Sequence, residues 1–187
     1  LTLKKESLDF VLNDLHGITG ESIEGAKRVK DITHGLKGYA YSGEQKSFID
    51  INQCIESTLK MVWNELKYNC KVTKELQVLP QVECIGGQIN QVLMNLFINA
   101  SQAMNKSGGE LKIQTFTSQA QVYIIVSDNG QGIKRDHLKH IFEPFFTTKP
   151  VGQGTGLGMS ICNDIIKQHG GSIQVESEEG FGTSFMI

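Results

Sequence analysis

Residues 128–158 read D-N-G-Q-G-I-K-R-D-H-L-K-H-I-F-E-P-F-F-T-T-K-P-V-G-Q-G-T-G-L-G. Three short motifs stand here in series: D-N-G-Q-G at 128–132, F-E-P-F-F-T-T-K-P at 142–150 and G-Q-G-T-G-L-G at 152–158. One glycine-rich run alone arises often by chance. Three in order, with a fourth, N-L-F-I-N-A, upstream at 95–100, carry far more. The last run, Gly154-Thr155-Gly156-Leu157-Gly158, opens a helical pattern that continues to His169 and is closed by Gly170-Gly171. Bare amides at a helix N-terminus form an anion site, and glycines permit close approach. A purely structural glycine turn is the alternative for this run taken alone.

Outward on the N-terminal side, Leu111/Ile113/Thr115 and Val122/Ile124/Val126 alternate as two antiparallel strands would. The second strand runs into Asp128, a group that accepts hydrogen bonds and never donates when ionised. At a strand end it can read an exocyclic amino group such as that of adenine, and it would repel the carbonyl of guanine. Gly130 and Gly132 let the backbone turn tightly beside it. Asp-Asn-Gly by itself equally describes a hairpin turn. Further upstream, a helical period over 87–104 puts Gln91, Asn95 and Asn99 on one polar stripe, opposite Val92, Leu93, Leu96, Phe97 and Ala100. Asparagine is a poor helix former, because its side chain competes for backbone hydrogen bonds. The stripe is either a solvated face or a set of neutral oxygens, suited to a hard cation. Phe142, Phe145 and Phe146 make a compact aromatic cluster around Pro144, with Phe142 expected in the core.

The remaining pattern fills in a domain. Apolar residues at three- and four-residue steps make 1–41 helical, with a bend or break at Gly17 to Gly20, where glycines cost about 1 kcal/mol each against alanine. Tyr41–Ser47 reads as a linker, and Asp50 caps a second helix with Gln53 at the capping-box position. Val72–Val78 reads as a strand ended by Pro80, and Ile173/Val175 and Phe185/Ile187 as two more around a turn at Glu179-Gly180. The expected fold is a two-layer α/β sandwich, a mixed sheet with helices on one face, preceded by a long helix. The 187 residues carry net charge −2, so no basic footprint points to nucleic acid. Cys54, Cys70, Cys84 and Cys162 show no C-x-x-C pair and read as buried small hydrophobes. No apolar run approaches the ~20 residues of a membrane span, so no membrane contact is expected of these residues. The chain starts without a methionine and stops in a strand pattern, so both ends read as cut.

The four motifs together resemble the ATP-binding catalytic domain of sensor histidine kinases, in the superfamily shared with type II topoisomerases, Hsp90 chaperones and MutL ATPases. The resemblance covers roughly residues 48–187. It implies ATP and Mg²⁺ as cofactors, with Asn99 as metal ligand and Asn95 either supporting that ligand from behind or as a phosphate-side partner. Asp128 would read adenine, with Gly130, Gly132 and Ile133 beside the base. The stretch around Phe142 would hinge a mobile lid spanning about 134–154, with Thr147, Thr148 and Lys149 beyond it. Lys149 would bring a point charge to the phosphates, although a solvated loop lysine is the plainer reading of that residue alone. Gly154, Thr155, Gly156, Leu157 and Gly158 would cradle phosphate, Leu157 packing back to anchor the lid, and Thr183 would face the nucleotide from the last strand.

Superfamily members that hydrolyse ATP carry a glutamate four residues before the magnesium asparagine, as general base for water. Here that residue is Asn95, as in histidine kinases. S-I-E-G-A-K-R-V-K-D-I-T-H-G-L-K, from Ser22 to Lys37, resembles the second helix of a dimerisation and phosphotransfer hairpin. The resemblance therefore divides the chain into 1–43, part of that hairpin, and 44–187, the catalytic domain. The hairpin's first helix would carry the phospho-accepting histidine in a motif like H-E-[LIF]-[RN]-[NT]-P-L, which this chain lacks. His16, His34, His137, His140 and His169 have no acceptor context. Catalysis would rest on Asn95, Asn99 and Lys149, the partners being a response regulator receiver domain and a second copy through the hairpin, in the cytoplasm. A non-catalytic ATP-binding switch module and an ATPase of the same superfamily are the alternatives.

Overall fold

The computed structural model describes residues 14, 15, 18–20, 22, 25, 45–104, 108–150 and 154–187. The described positions between Asp14 and Gly25 are helical, Ile18, Thr19 and Gly20 included. No break therefore falls on those three residues of the expected Gly17 to Gly20 interruption, while Gly17 lies outside the described residues. Thr19 Oγ1 donates to the Leu15 carbonyl at 2.8 Å. The rest of the helix expected over 1–41, His16, His34 and the boundary at 43/44 lie outside the described residues.

From residue 45 the chain forms β1 (Ser47–Ile49), α1 (Ile51–Leu66), β2 (Cys70–Leu76), β3 (Val82–Cys84), α2 (Gly86–Ala103), β4 (Gly109–Ser118), β5 (Gln121–Asp128), α3 (Arg135–Leu138), α4 (Gly158–Gln168), β6 (Gln174–Glu178) and β7 (Gly182–Met186). Asp50 caps α1, its Oδ1 accepting the Asn52 and Gln53 amides at 2.8 and 3.3 Å. A cap of this kind is worth about 1 kcal/mol. The linker expected over Tyr41–Ser47 is corrected at its end, since Ser47 opens β1, which pairs antiparallel with β3. Three-residue strands show no alternation, and the partner lies far along the chain, so no local signal marks them.

Five strands make one mixed sheet in the order β2-β4-β5-β7-β6, with β2 parallel to β4 and the other neighbours antiparallel. Its inner face offers Leu111, Ile113 and Thr115 from β4, Ile124 and Val126 from β5, and Phe185 from β7. Against it lie Ile55, Leu59, Val62 and Leu66 of α1, Val92, Leu93, Leu96 and Phe97 of α2, and Ile161, Ile165 and Ile166 of α4. Burial of each such side chain contributes ~1.5–3 kcal/mol, which fixes the helix layer on one face. Cys54, Cys84 and Cys162 are buried in the core and Cys70 is half-buried, the role expected of them. The two-layer sandwich stands as read from the sequence. It brings the end of β5, the start of β7, the polar stripe of α2 and the N-terminus of α4 to one place.

Candidate functional site

Asp128 closes β5 with Thr183 of β7 as its register partner. Its Oδ1 accepts the Gly130 amide at 2.8 Å, an Asx turn. Because β5 pairs with β4 and β7, Asp-Asn-Gly is not a hairpin turn here. Asn129 is occupied elsewhere, its Oδ1 taking the Glu110 amide at 2.7 Å. Burial raises the Asp128 pKa, while backbone donors at Gly130 and Thr183 pull it back. A carboxylate has about four lone-pair sites. Asp128 therefore keeps acceptor capacity in a place water reaches poorly.

Gly132 has φ +67°, and a Cβ there would strike the Glu178 carbonyl, so the D-x-G-x-G spacing is a backbone requirement. The turn lets the Gln131 carbonyl accept the Gly180 amide at 2.8 Å. Next in the chain, the half-buried Ile133 donates its amide to Ser177 Oγ at 2.8 Å. Ser177 gives its own proton to the Gly182 carbonyl at 2.8 Å, so the Thr183 hydroxyl, 2.9 Å away, is the donor in their contact. Thr183 is only 5% exposed, and its oxygen keeps its remaining lone-pair capacity.

On α2, Asn95 and Asn99 are not a solvated face. They pack against α4, where Asn95 Nδ2 donates to the Gly158 carbonyl at 3.3 Å and approaches Cys162 Sγ at 3.6 Å. Asn99 Nδ2 points to Met159 Sδ at 3.4 Å, which turns its Oδ1 outward. That oxygen accepts Lys149 Nζ at 3.2 Å, and Gln102 Oε1 accepts the same ammonium. Burial lowers the Lys149 pKa. Lys149 is therefore not the solvated loop lysine that its sequence context allowed. Gln102 escaped the sequence reading, yet its place three residues after Asn99 extends the same stripe by one helical step. Two neutral oxygens already holding a cation make a donor set that suits a hard divalent ion as well.

The loop between α3 and α4 departs from the compact aromatic cluster expected of it. Phe142 and Phe146 pack on the core, but Phe145 is 74% exposed with φ +68°. Phe145 is turned outward because its backbone lies directly against Gly156, φ +67°, where a Cβ would collide with it. Thr147 and Thr148 are exposed; Thr147 Oγ1 accepts the Lys149 amide at 3.2 Å and lies where a Cβ on Gly154 would fall. Thr155 Oγ1 accepts the Leu157 amide at 3.4 Å, and Leu157 packs on the core as the N-cap of α4. Helix geometry leaves the amides of Gly158, Met159 and Ser160 without a carbonyl in their own helix. Within the stretch 134–154 expected to be a lid, of which 151–153 lie outside the described residues, Ile141 is buried, Phe142 and Phe146 pack on the core, and Thr147 and Thr148 are exposed. Nucleotide should therefore slow amide exchange chiefly at Thr147–Lys149 and Gly154–Leu157. Exchange mass spectrometry finding the protection at 134–146 instead would contradict this division.

The chain matches the family described as histidine kinase-, DNA gyrase B- and HSP90-like ATPase over residues 86–187. It is 38% identical over 146 residues to the sensor histidine kinase ZraS of Escherichia coli, covering 74% of this chain and 30% of that protein. Among solved structures, the catalytic domain of histidine kinase ThkA superposes with a TM-score of 0.67 at 34% identity, covering 76% of this chain and 93% of that one. ThkA in complex with the response regulator protein TrrA gives 0.69 at 27% identity, covering 87% of this chain and 47% of that one. The chain belongs to this ATPase family, in its branch of histidine kinase catalytic domains. It is thus an ATP-binding domain that spans less than a third of the E. coli relative. Among the described residues no helix is long and apolar enough to cross a membrane.

Proposed function

We propose that the chain moves the γ-phosphoryl of ATP to a histidine on another segment of its parent protein, for relay to the aspartate of a response regulator. The observation that carries this is on α2. Asn95 holds the position from which a glutamate would activate water, and its amide donates to α4 instead of serving as a base. In the transfer the bond from γ-phosphorus to the bridging oxygen breaks and a phosphorus–nitrogen bond forms, leaving ADP and a proton from the imidazole. The chain's part is positioning and charge neutralisation, which suffice for phosphoryl transfer. Asp128 and Thr183 fix the base, with Gly130, Gly132 and Ile133 shaping the turn beside it. The amides after Leu157 and the Gly154–Gly158 turn hold phosphate oxygens, and Lys149 adds a mobile charge.

Mg²⁺, when bound, would neutralise the phosphates, with Asn99 Oδ1 as its protein ligand. The Lys149 ammonium now on that oxygen supports this reading, since it is a positive group drawn to the same acceptor. Asn99→Ala should keep metal-free ADP binding while Mg²⁺ no longer tightens it. Titration calorimetry finding the same Mg²⁺ enhancement in the variant would remove Asn99 as a ligand. We further place residues 1–43 in a dimerisation hairpin and 44–187 in the catalytic domain, working in the cytoplasm where ATP is supplied. The response regulator of the ThkA complex is the model for the downstream partner.

A further inference from the structure

Helices α2 and α4 run antiparallel, as their seam contacts show: Asn99 meets Met159, Asn95 and Val92 both meet Cys162, and Ile85 meets His169. The seam ends in a contact that plays no part in holding nucleotide. His169, the C-cap of α4, accepts the Ile85 amide on Nε2 at 3.0 Å and lies with Nδ1 2.8 Å from the Ile165 carbonyl of its own helix. An amide only donates and a carbonyl only accepts, so one state serves both, the neutral imidazole with its proton on Nδ1.

Ile85 is the N-cap of α2 and has no side-chain cap of its own. Gln88 stands at the third helical position, from which a capping-box glutamine reaches back to that same amide. Gln88 Oε1 is instead buried with no hydrogen-bond partner. The local bond is left unmade and the amide is spent on a residue 84 positions away. Apolar contacts between the two helices are non-directional and tolerate a shift, whereas a hydrogen bond does not.

We propose that His169 is a positioning residue for the phosphate side of the site. By tying the end of α4 to the start of α2, it sets how far α4 sits along α2. It thereby sets where Gly158 and the free amides of α4 stand relative to Asn95 and Asn99. The inference rests on the ATP-site reading above.

The test uses the full chain, held well below its melting temperature, with Mg·ADP titrated by calorimetry and adenosine by NMR. His169→Leu should weaken Mg·ADP by about tenfold, the scale of one lost hydrogen bond, and leave adenosine unchanged, because Asp128 is on the base side. The variant should fold, since Gln88 can take the freed amide. His169→Gln keeps an acceptor at the Nε2 position and should recover Mg·ADP affinity to within about twofold. If His169→Leu fails to fold, His169→Asn, which serves Ile165 but is too short for Ile85, takes its place with the same expectations. A lowered melting temperature with unchanged Mg·ADP affinity in the folded variant would overturn the proposal and leave a merely structural histidine. Equal losses of Mg·ADP and adenosine, or a glutamine variant as weak as the leucine one, would also overturn it. A wild-type chain that binds neither ligand would bring down the ATP-site reading, and this inference with it.

Discussion

Incubated with labelled ATP and Mg²⁺, the chain alone should take up no label and release almost no phosphate. Addition of a separate polypeptide carrying the parent's complete hairpin should switch transfer on. The effect is nearly all-or-none, because it follows from missing groups and not from weakened ones. None of the five histidines stands in an acceptor motif. His169 has both ring nitrogens engaged with backbone. His137 and His140 lie against the Phe146 ring, and His140 also pairs with Glu143 at 2.8 Å. Hydrolysis lacks its base at Asn95. The label on the added hairpin should be lost in acid and kept in alkali, as a phosphorus–nitrogen bond requires. Acid-stable label on the chain itself, or steady rapid turnover, would point to a different reaction.

The second large effect concerns the base. Asp128→Asn should weaken ATP binding by about 1–3 kcal/mol, or roughly 5- to 150-fold, the range for a charged hydrogen bond. The fold should survive, since the asparagine oxygen can still accept the Gly130 amide. Wild-type chain should prefer Mg·ATP to Mg·GTP, because guanine offers a carbonyl where adenine offers an amino group. The pH dependence has a definite sign. The Asp128 pKa is raised in the folded chain, so the carboxylate protonates earlier on acidification than an ordinary aspartate. ATP affinity should accordingly fall on the acid side from a higher pH than a solvent-exposed aspartate would give. Calorimetry showing equal ATP and GTP affinities would take Asp128 out of base recognition.

The helices and long strands were legible because their periods are strong and local. The stripe Ile55, Leu59, Val62 and Leu66, the alternation along β4 and β5, and the glycine stop after α4 each declare themselves within a few residues. What stayed hidden depends on distant partners. β1 exists through β3, which lies across α1 and β2. Phe145 belongs outside because of Gly156, although its aromatic neighbours belong inside. The site residues were legible as motifs, but not their engagement with one another. Nothing in N-L-F-I-N-A says that Asn99 turns its amide nitrogen to Met159, or that Gln102 shares the Lys149 ammonium. Side-chain orientation is set across the seam between helices, and one sequence shows no seam.

Cys162 lies on that seam, wholly buried behind Asn95, with burial pushing its thiol pKa up to about 12. At neutral pH it stays a thiol, which is the unreactive form. An alkylating reagent should meet it only through a local opening that moves α4 away from α2 or from the core, so the sulfur acts as a clock that counts such openings. Whatever bridges those helices from the solvent side, including nucleotide on the amides of α4, slows that clock without touching the sulfur.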